Sequence, residues 1–434
     1  HHNADTVGGE KMSKYLSDFE RICKTLIAFD KKSIPLCAAE TPMSPFSKVA
    51  LDSNLQEKYI MGGVRSFGRE NNFVEAKYLF QIYQLINAQC KDLFHCEYAD
   101  PRSLSGVNAV MVLLMSLFKE GDTILISSED SGGHSSMPLI CKRLGIKTIE
   151  LPFDYQTLDF DYDSVNRILA ENRIHGILVC PSDLLWQPHL ERIQLPPGCC
   201  LIYDATQTLG LIANGVNDNP LDKFSKDDLF ILMGATHKTI PGPTSGLIMT
   251  KNLSLANRFD QKINPDFLRN VQFHHILSLS LVLMELEVFG ESYGKETVKN
   301  ANILGKYLEG NGFSVIKREP FHYTETHQLF IPLPPNTLDH FMRQCTDLGI
   351  SLNARFKKLY RGAGIRIGVQ AVTRYGWSEK ELFEIADILT AIRIGKSNVE
   401  FLAKRVENLS KHKEIHYTFT DETLEQIHTI LHDS

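Results

Sequence analysis

The sequence predicts an α/β protein, with a largely parallel sheet in a large domain and a smaller α+β domain after it. Three observations carry that expectation. Short apolar runs recur through the middle of the chain, at residues 123–127 (TILIS), 148–151 (TIEL), 177–180 (ILVC), 200–203 (CLIY), 229–233 (LFILM) and 247–250 (LIMT). Segments of helical character, such as 136–144 and 162–172, lie between several of them. At 434 residues the chain is also too long for a single core, which stops growing near ~250–300 residues. Buried strands separated by helices form parallel sheets, because a parallel pair needs a crossover connection. Ligands gather at the carboxyl ends of such strands.

The elements follow in order. Residues 1–10 read as the remnant of a purification tag and are set aside. Tyr15, Phe19, Ile22 and Leu26 fall on one helical stripe, so residues 11–40 are expected to form an N-terminal helix and arm that packs on the body or on a partner subunit. Residues 74–97 also read as helical. The large domain is expected over 41–290 and the small one over 291–434. A long helix is expected over 278–310, broken near Gly290. Strands should follow at 313–316, 329–331 and near 365–368, then a helix over 379–394. The tail, 401–434, has helical character. Its His412, His416, His428 and His432 lack metal-ligand spacing, so they read as surface histidines and no metal site is expected.

Composition narrows the function. Apolar residues make up 43% and charged residues 23%, a globular balance that excludes collagen, a coiled coil or a disordered tail. Lys plus Arg total 46 against 52 for Asp plus Glu, so the formal net charge of −6 offers no basic footprint for nucleic acid. No apolar run of 18 residues suggests a membrane span. Nine scattered cysteines with no CxxC pair suggest neither a disulfide framework nor structural zinc, and fit reduced thiols in the cytoplasm.

Three residues carry the chemistry. Asp204 ends the run CLIYD, Lys238 follows LFILM in GATHKT, and Arg366 lies in GIRIG. Alone, each has an ordinary structural reading as a helix cap, a solvated cation or an ion-pair partner. Together they match the needs of pyridoxal phosphate. A lysine amine forms a Schiff base with its aldehyde, and a carboxylate keeps the pyridine nitrogen protonated. An arginine grips an amino-acid carboxylate in a bidentate pair.

Four motifs in the same order resemble the serine hydroxymethyltransferase branch of the fold-type-I pyridoxal-phosphate enzymes. They are EDSGGH (129–134), YDATQTLGLIANG (203–215), THKTIPGPTSG (236–246) and GIRIGVQAVTRYG (364–376). The resemblance spans about residues 30–395. It implies a mostly parallel seven-stranded sheet in the large domain, pyridoxal 5′-phosphate as cofactor, and a homodimer with a shared active site. By the same motifs Lys238 resembles the Schiff-base lysine, Asp204 the pyridine partner and His134 the ring-stacking imidazole. Ser103, Leu104 and Ser105 sit where the family binds the phosphate. His237 is expected near the phosphate, and Ser182 near the cofactor hydroxyl. Arg366 resembles the substrate clamp, with Gln207 and Tyr59 contacting cofactor and substrate. Tyr59 resembles a tyrosine that reaches the partner subunit's phosphate. Glu40 and His134 are the candidate proton-handling groups.

The departures from the family point to function. Met61 stands where the family has an acid for one-carbon transfer to folate, and Ser66-Phe67 where it has a tyrosine pair. Thioether sulfur cannot move protons. Ala39, Thr41, Gln207, Thr244 and Val369-Gln370 also depart, mostly in the folate and substrate half. The segments HKTIPGP, IRIGVQA, WQP, ETHQ and MELEVFG are similar to L-threonine transaldolases of natural-product pathways, although a histidine is expected where Gln207 stands. The resemblance therefore implies cleavage of L-threonine to acetaldehyde and addition of the glycyl carbanion to an acceptor aldehyde. A serine hydroxymethyltransferase, a glycine-forming threonine aldolase and a catalytically silent scaffold are the alternatives.

Overall fold

The computed structural model describes residues 6–7, 10–65, 72–395 and 398–433. Seven strands form its central sheet: β1 Tyr98–Asp100, β2 Thr123–Ile126, β3 Lys147–Glu150, β4 Gly176–Val179, β5 Cys200–Asp204, β6 Phe230–Ala235 and β7 Gly246–Thr250. Their spatial order is β1-β7-β6-β5-β4-β2-β3. Pairs from β6 through to β3 are parallel, and β7 runs against both β6 and β1. Strands β4 to β7 are buried along their whole length. Both faces are covered, so these strands read as continuous apolar runs rather than alternating ones. Apolar runs mark six of the strands and miss β1. Three residues are too few to show a period, and β1 is fixed from outside by Asn87, whose Oδ1 accepts from Ala99 N at 2.9 Å.

The helices expected at 136–144 and 162–172 are Ser136–Arg143 and Tyr162–Glu171. Asp161 caps the second by accepting from Ser164 N at 3.2 Å. Four further helices matter for the site and its surroundings: α1 Leu16–Lys32, α2 Gln81–Phe94, α3 Gly106–Leu117 and α4 Phe273–Gly310. Helix α4 corrects the sequence reading, because its 38 residues run without the break expected near Gly290. That glycine instead serves a close contact, since an added Cβ would overlap the Asn214 side chain. By length and composition α4 could cross a bilayer. However, 61% of its most apolar window is buried inside the protein, the pattern of a core helix.

Two apolar cores flank α4. One runs from Ile60 to Leu286 around the seven-stranded sheet, and the other takes α4 from Ala301 onward. We propose the domain boundary near residue 290 on this division. Ile34 and Leu36, in the proposed arm, pack into the second core. The second core rests on three antiparallel strands, β8 Gln328–Pro332, β9 Asn353–Arg355 and β10 Gly364–Gly368, in the order β8-β10-β9. The strand expected at 313–316 is not formed. That segment makes one ladder-like bond, Ile316 N to Phe330 O at 3.0 Å, while Phe313 and Val315 serve the core. Helix α5, Glu379–Ile394, matches its expected span and opens with a capping box between Ser378 and Glu381. All nine cysteines are free thiols.

Candidate active site

The parallel register of β5 and β6 sets Asp204 beside Met233. Asp204 therefore ends its strand at the carboxyl edge of the sheet, and Lys238 follows three residues after β6 on that same edge. Both line a cavity of about 530 Å³ together with Ser105, His134, Ser182 and Arg366. Asp204 is 6% exposed and accepts from Thr206 N at 3.1 Å and Thr206 Oγ1 at 2.5 Å. Burial raises its carboxyl to about 6. Lys238 Nζ donates to Ala39 O at 3.2 Å. Burial, then the Arg366 charge, lowers its ammonium below the ordinary value.

The loop after β2 delivers His134. Gly132 has φ +108, and an added Cβ would overlap Asp183 O. The Gly132 carbonyl accepts from Ser182 N at 2.7 Å and so clamps this loop to the end of β4. His134 Nδ1 accepts from Ser136 N at 3.1 Å, which leaves the ring proton of the neutral form on Nε2. Burial and the charges of Lys357, Lys238 and Arg355 hold it neutral.

The opposite end of the cavity is a helix start. Ser105 caps α3 by accepting from Asn108 N at 3.1 Å, and Gly106 and Val107 line the cavity. First-turn N–H groups have no intrahelical partner and attract anions. Gly246 lets β7 approach this turn, because an added Cβ would sit 2.7 Å from Ser105 O. Arg102, buried against Asp100 and Asp260 at 2.6 and 3.1 Å, anchors it. Among the described residues, Ser103 Oγ is buried without a hydrogen-bond partner, as is His237 Nδ1 in the cavity wall. Burial drops His237 to about 4.

Arg366, on β10, donates from Nη1 to Ser182 O at 2.7 Å and from Nε to Asn353 Oδ1 at 3.2 Å. Beside it, Asp183 gathers Arg355, Lys357 and Tyr360. Burial would raise the Asp183 carboxyl, but Arg355 and the neighbouring cations bring it down to about 2.

A family model described as serine hydroxymethyltransferase matches residues 13–389. The chain belongs to the serine hydroxymethyltransferase family. The serine hydroxymethyltransferase of Pyrococcus horikoshii is 30% identical over 407 residues, 89% of this chain and 93% of its own. That of Methanobrevibacter smithii is 28% identical over 418 residues, covering 93% and 96%. Among solved structures, an L-threonine transaldolase from Pseudomonas fluorescens in its internal aldimine state matches with a TM-score of 0.87 at 25% identity. The match covers 97% of this chain and all of the other. The protein is thus a pyridoxal-phosphate-dependent transferase of fold type I.

The residues present fit that cofactor. Asp204 is a buried carboxylate whose hydrogen bonds among the described residues both go to Thr206, which leaves room for a pyridine N–H. The α3 start, where Ser105, Gly106 and Val107 line the cavity, suits a phosphate. Of the family positions named from the sequence, Lys238, Asp204, His134, Ser105, His237, Ser182, Gln207 and Arg366 line one cavity. Four others do not. Leu104 N donates to Asn108 Oδ1 at 2.8 Å, so it is not open to an anion. Ser103 lies behind the wall. Glu40 is exposed, its carbonyl accepting from Gln370 Nε2 at 2.8 Å. Tyr59 is 39% exposed and stacks on Phe73. Gln207 Oε1 accepts from Gln328 Nε2 at 3.0 Å. Met61 lies at 3.4 Å from Arg269 Nη1, and Ser66-Phe67 fall outside the described residues.

Sequence reasoning missed Asp183, Arg355, Lys357 and Tyr360. A signal existed, since Asn353, Arg355 and Lys357 alternate as one face of a strand does. It also left His327 without a role. His327 is fully buried near Arg366, Lys238 and the Ala38 backbone, and burial drops it to about 3.

Proposed function

We propose that this protein is an L-threonine transaldolase, cleaving L-threonine to acetaldehyde and joining the glycyl fragment to an acceptor aldehyde. One observation carries the reading. Lys238, Asp204, His134 and Arg366 share one cavity, while Met61 replaces the acid that would serve folate. Bound pyridoxal phosphate supplies an aldehyde for the Lys238 amine and a ring that spreads the electron pair left on Cα. Lys238 would hold it covalently, Asp204 would pair with the pyridine nitrogen, and the α3 start and His237 would take the phosphate. Arg366 grips the substrate carboxylate, and its anchors at Ser182 O and Asn353 fix which Cα bond is cleaved. His134, with its proton on Nε2, donates to the β-oxygen. Glu40, whose charge acts on Lys238 from just outside the cavity, is the remaining candidate to take the β-hydroxyl proton. Gln207 would contact cofactor and substrate, and Ser182 would face the cofactor hydroxyl. The enzyme is a homodimer in which Tyr59 completes the partner's site, and its free thiols suit the cytoplasm.

The test is acetaldehyde release from L-threonine, without folate, in the presence and absence of an aromatic aldehyde. Release that depends on the aldehyde, with a new β-hydroxy-α-amino acid, is the expected result. Aldehyde-independent release with glycine as product would make the protein an aldolase. The curated relatives are named serine hydroxymethyltransferases, so serine turnover that requires tetrahydrofolate is the result favouring the second reading.

A further inference from the structure

The cavity holds more positive charge than the L-threonine carboxylate uses. Asp183 is 2% exposed. It accepts from Arg355 Nε at 2.9 Å and Nη2 at 2.5 Å, from Lys357 Nζ at 2.6 Å and from the Tyr360 hydroxyl at 2.7 Å. Arg366 Nη1 lies 3.9 Å away. One carboxylate therefore faces three cations, an excess of two positive charges. Unmatched charge away from water is costly, so an excess of this kind favours an anionic ligand.

The substrate carboxylate on Arg366 matches one charge. The second resides with Arg355 and Lys357, which both line the cavity. Lys357 also donates to Gly133 O at 3.1 Å, which holds it beside His134. The phosphate cradle at the start of α3 is built from other elements. Glu129 also lines the cavity but is exposed, where solvent and salt weaken its field. Phe356, between the two cations, presents a ring that is 71% exposed at the cavity wall.

We propose that Arg355 and Lys357 form an anion subsite for the acceptor, and that the acceptor is an aldehyde carrying a carboxylate or phosphate group. This rests on the transaldolase reading. The anion is a handle: it positions the carbonyl carbon near His134 and takes no part in bond making. Charge-assisted hydrogen bonds of this kind correspond to about a tenfold preference or more.

The experiment compares 4-carboxybenzaldehyde with 4-formylbenzamide, a neutral molecule of similar shape, as acceptors for the loaded enzyme with L-threonine. The carboxylate should show a kcat/KM about tenfold higher, and that ratio should shrink in high salt and in Lys357→Gln. Equal rates with both would overturn the subsite and leave the transaldolase reading standing. Product from neither would overturn both. Adding 4-formylphenyl phosphate separates the two anions, since a higher kcat/KM than the carboxylate's assigns the handle to a phosphate. A second measurement needs neither turnover nor a variant that folds. Calorimetry of the wild-type holoenzyme saturated with glycine, whose carboxylate occupies Arg366, should find 4-methylbenzoate bound about tenfold more tightly than 4-methylbenzamide, and equal affinities would overturn the proposal.

Discussion

Asp204 shows how one residue reads differently before and after its surroundings are known. In the sequence it is an acid at the end of an apolar run. In the structure its carboxyl is buried against Thr206 and raised to about 6 from 3.8. A raised folded-state value means the protonated form is favoured by folding. In the cofactor-free protein this group's contribution to stability is therefore full below about 4 and lost as pH rises through about 6. Asp204→Asn should remove that dependence. Denaturant titrations of cofactor-free wild type and variant should diverge in the variant's favour between pH 4 and 7, by on the order of 2–3 kcal/mol. A pH-independent difference would contradict the burial argument. Lys238→Ala should end covalent capture of pyridoxal phosphate, read by mass spectrometry after borohydride reduction. Retained cofactor mass in the variant would show that another lysine carries it.

Elements explain why these side chains converge. β5 and β6 are parallel neighbours, so their carboxyl ends share an edge and bring Asp204 and Lys238 to one cavity. The start of α3 depends on the close approach of β7. In Gly246→Ala the new methyl would meet Ser105 O at 2.7 Å and Ser103 Cβ at 2.8 Å. Backbone and a short side chain cannot swing away, so the turn must shift. We expect a loss of about 1–3 kcal/mol in stability and weaker pyridoxal phosphate affinity, measured by fluorescence titration. Unchanged affinity would mean that the α3 start does not hold the phosphate.

At the scale of the whole molecule, α1 is the element out of balance. None of its residues is buried, and Phe19 and Leu26 are 66% and 64% exposed. An amphipathic helix gains little by itself and is stabilised by packing its apolar face. A second copy of this chain is the proposed cover. Phe19→Asp combined with Leu26→Asp should shift the protein from dimer to monomer in sedimentation velocity. Activity should fall with it, because Tyr59 lies outside the cavity of its own chain. A variant that stays dimeric would place the interface elsewhere.

The sequence by itself determined the layers and the cofactor, and it named eight residues that the fold brings to one cavity. Buried parallel strands announce themselves as continuous apolar runs, and strand-end residues such as Asp204 and Lys238 fall on one edge once the sheet is parallel. Helix Glu379–Ile394 was legible because capping and periodicity are local. Tertiary structure alone decided the rest. Gly290 looks like a helix breaker until Asn214 is seen against it, and residues 313–316 look like a strand until core packing claims them. The alternation of Asn353, Arg355 and Lys357 was a local trace of the charge around Asp183, but the meeting with Asp183 was not legible. Asp183 follows β4, whereas Arg355 and Lys357 come from the edge strand of the three-stranded sheet and the loop after it, 172 and 174 residues away. Their meeting depends on how the two cores pack across α4, and long-range packing leaves no local pattern in a chain.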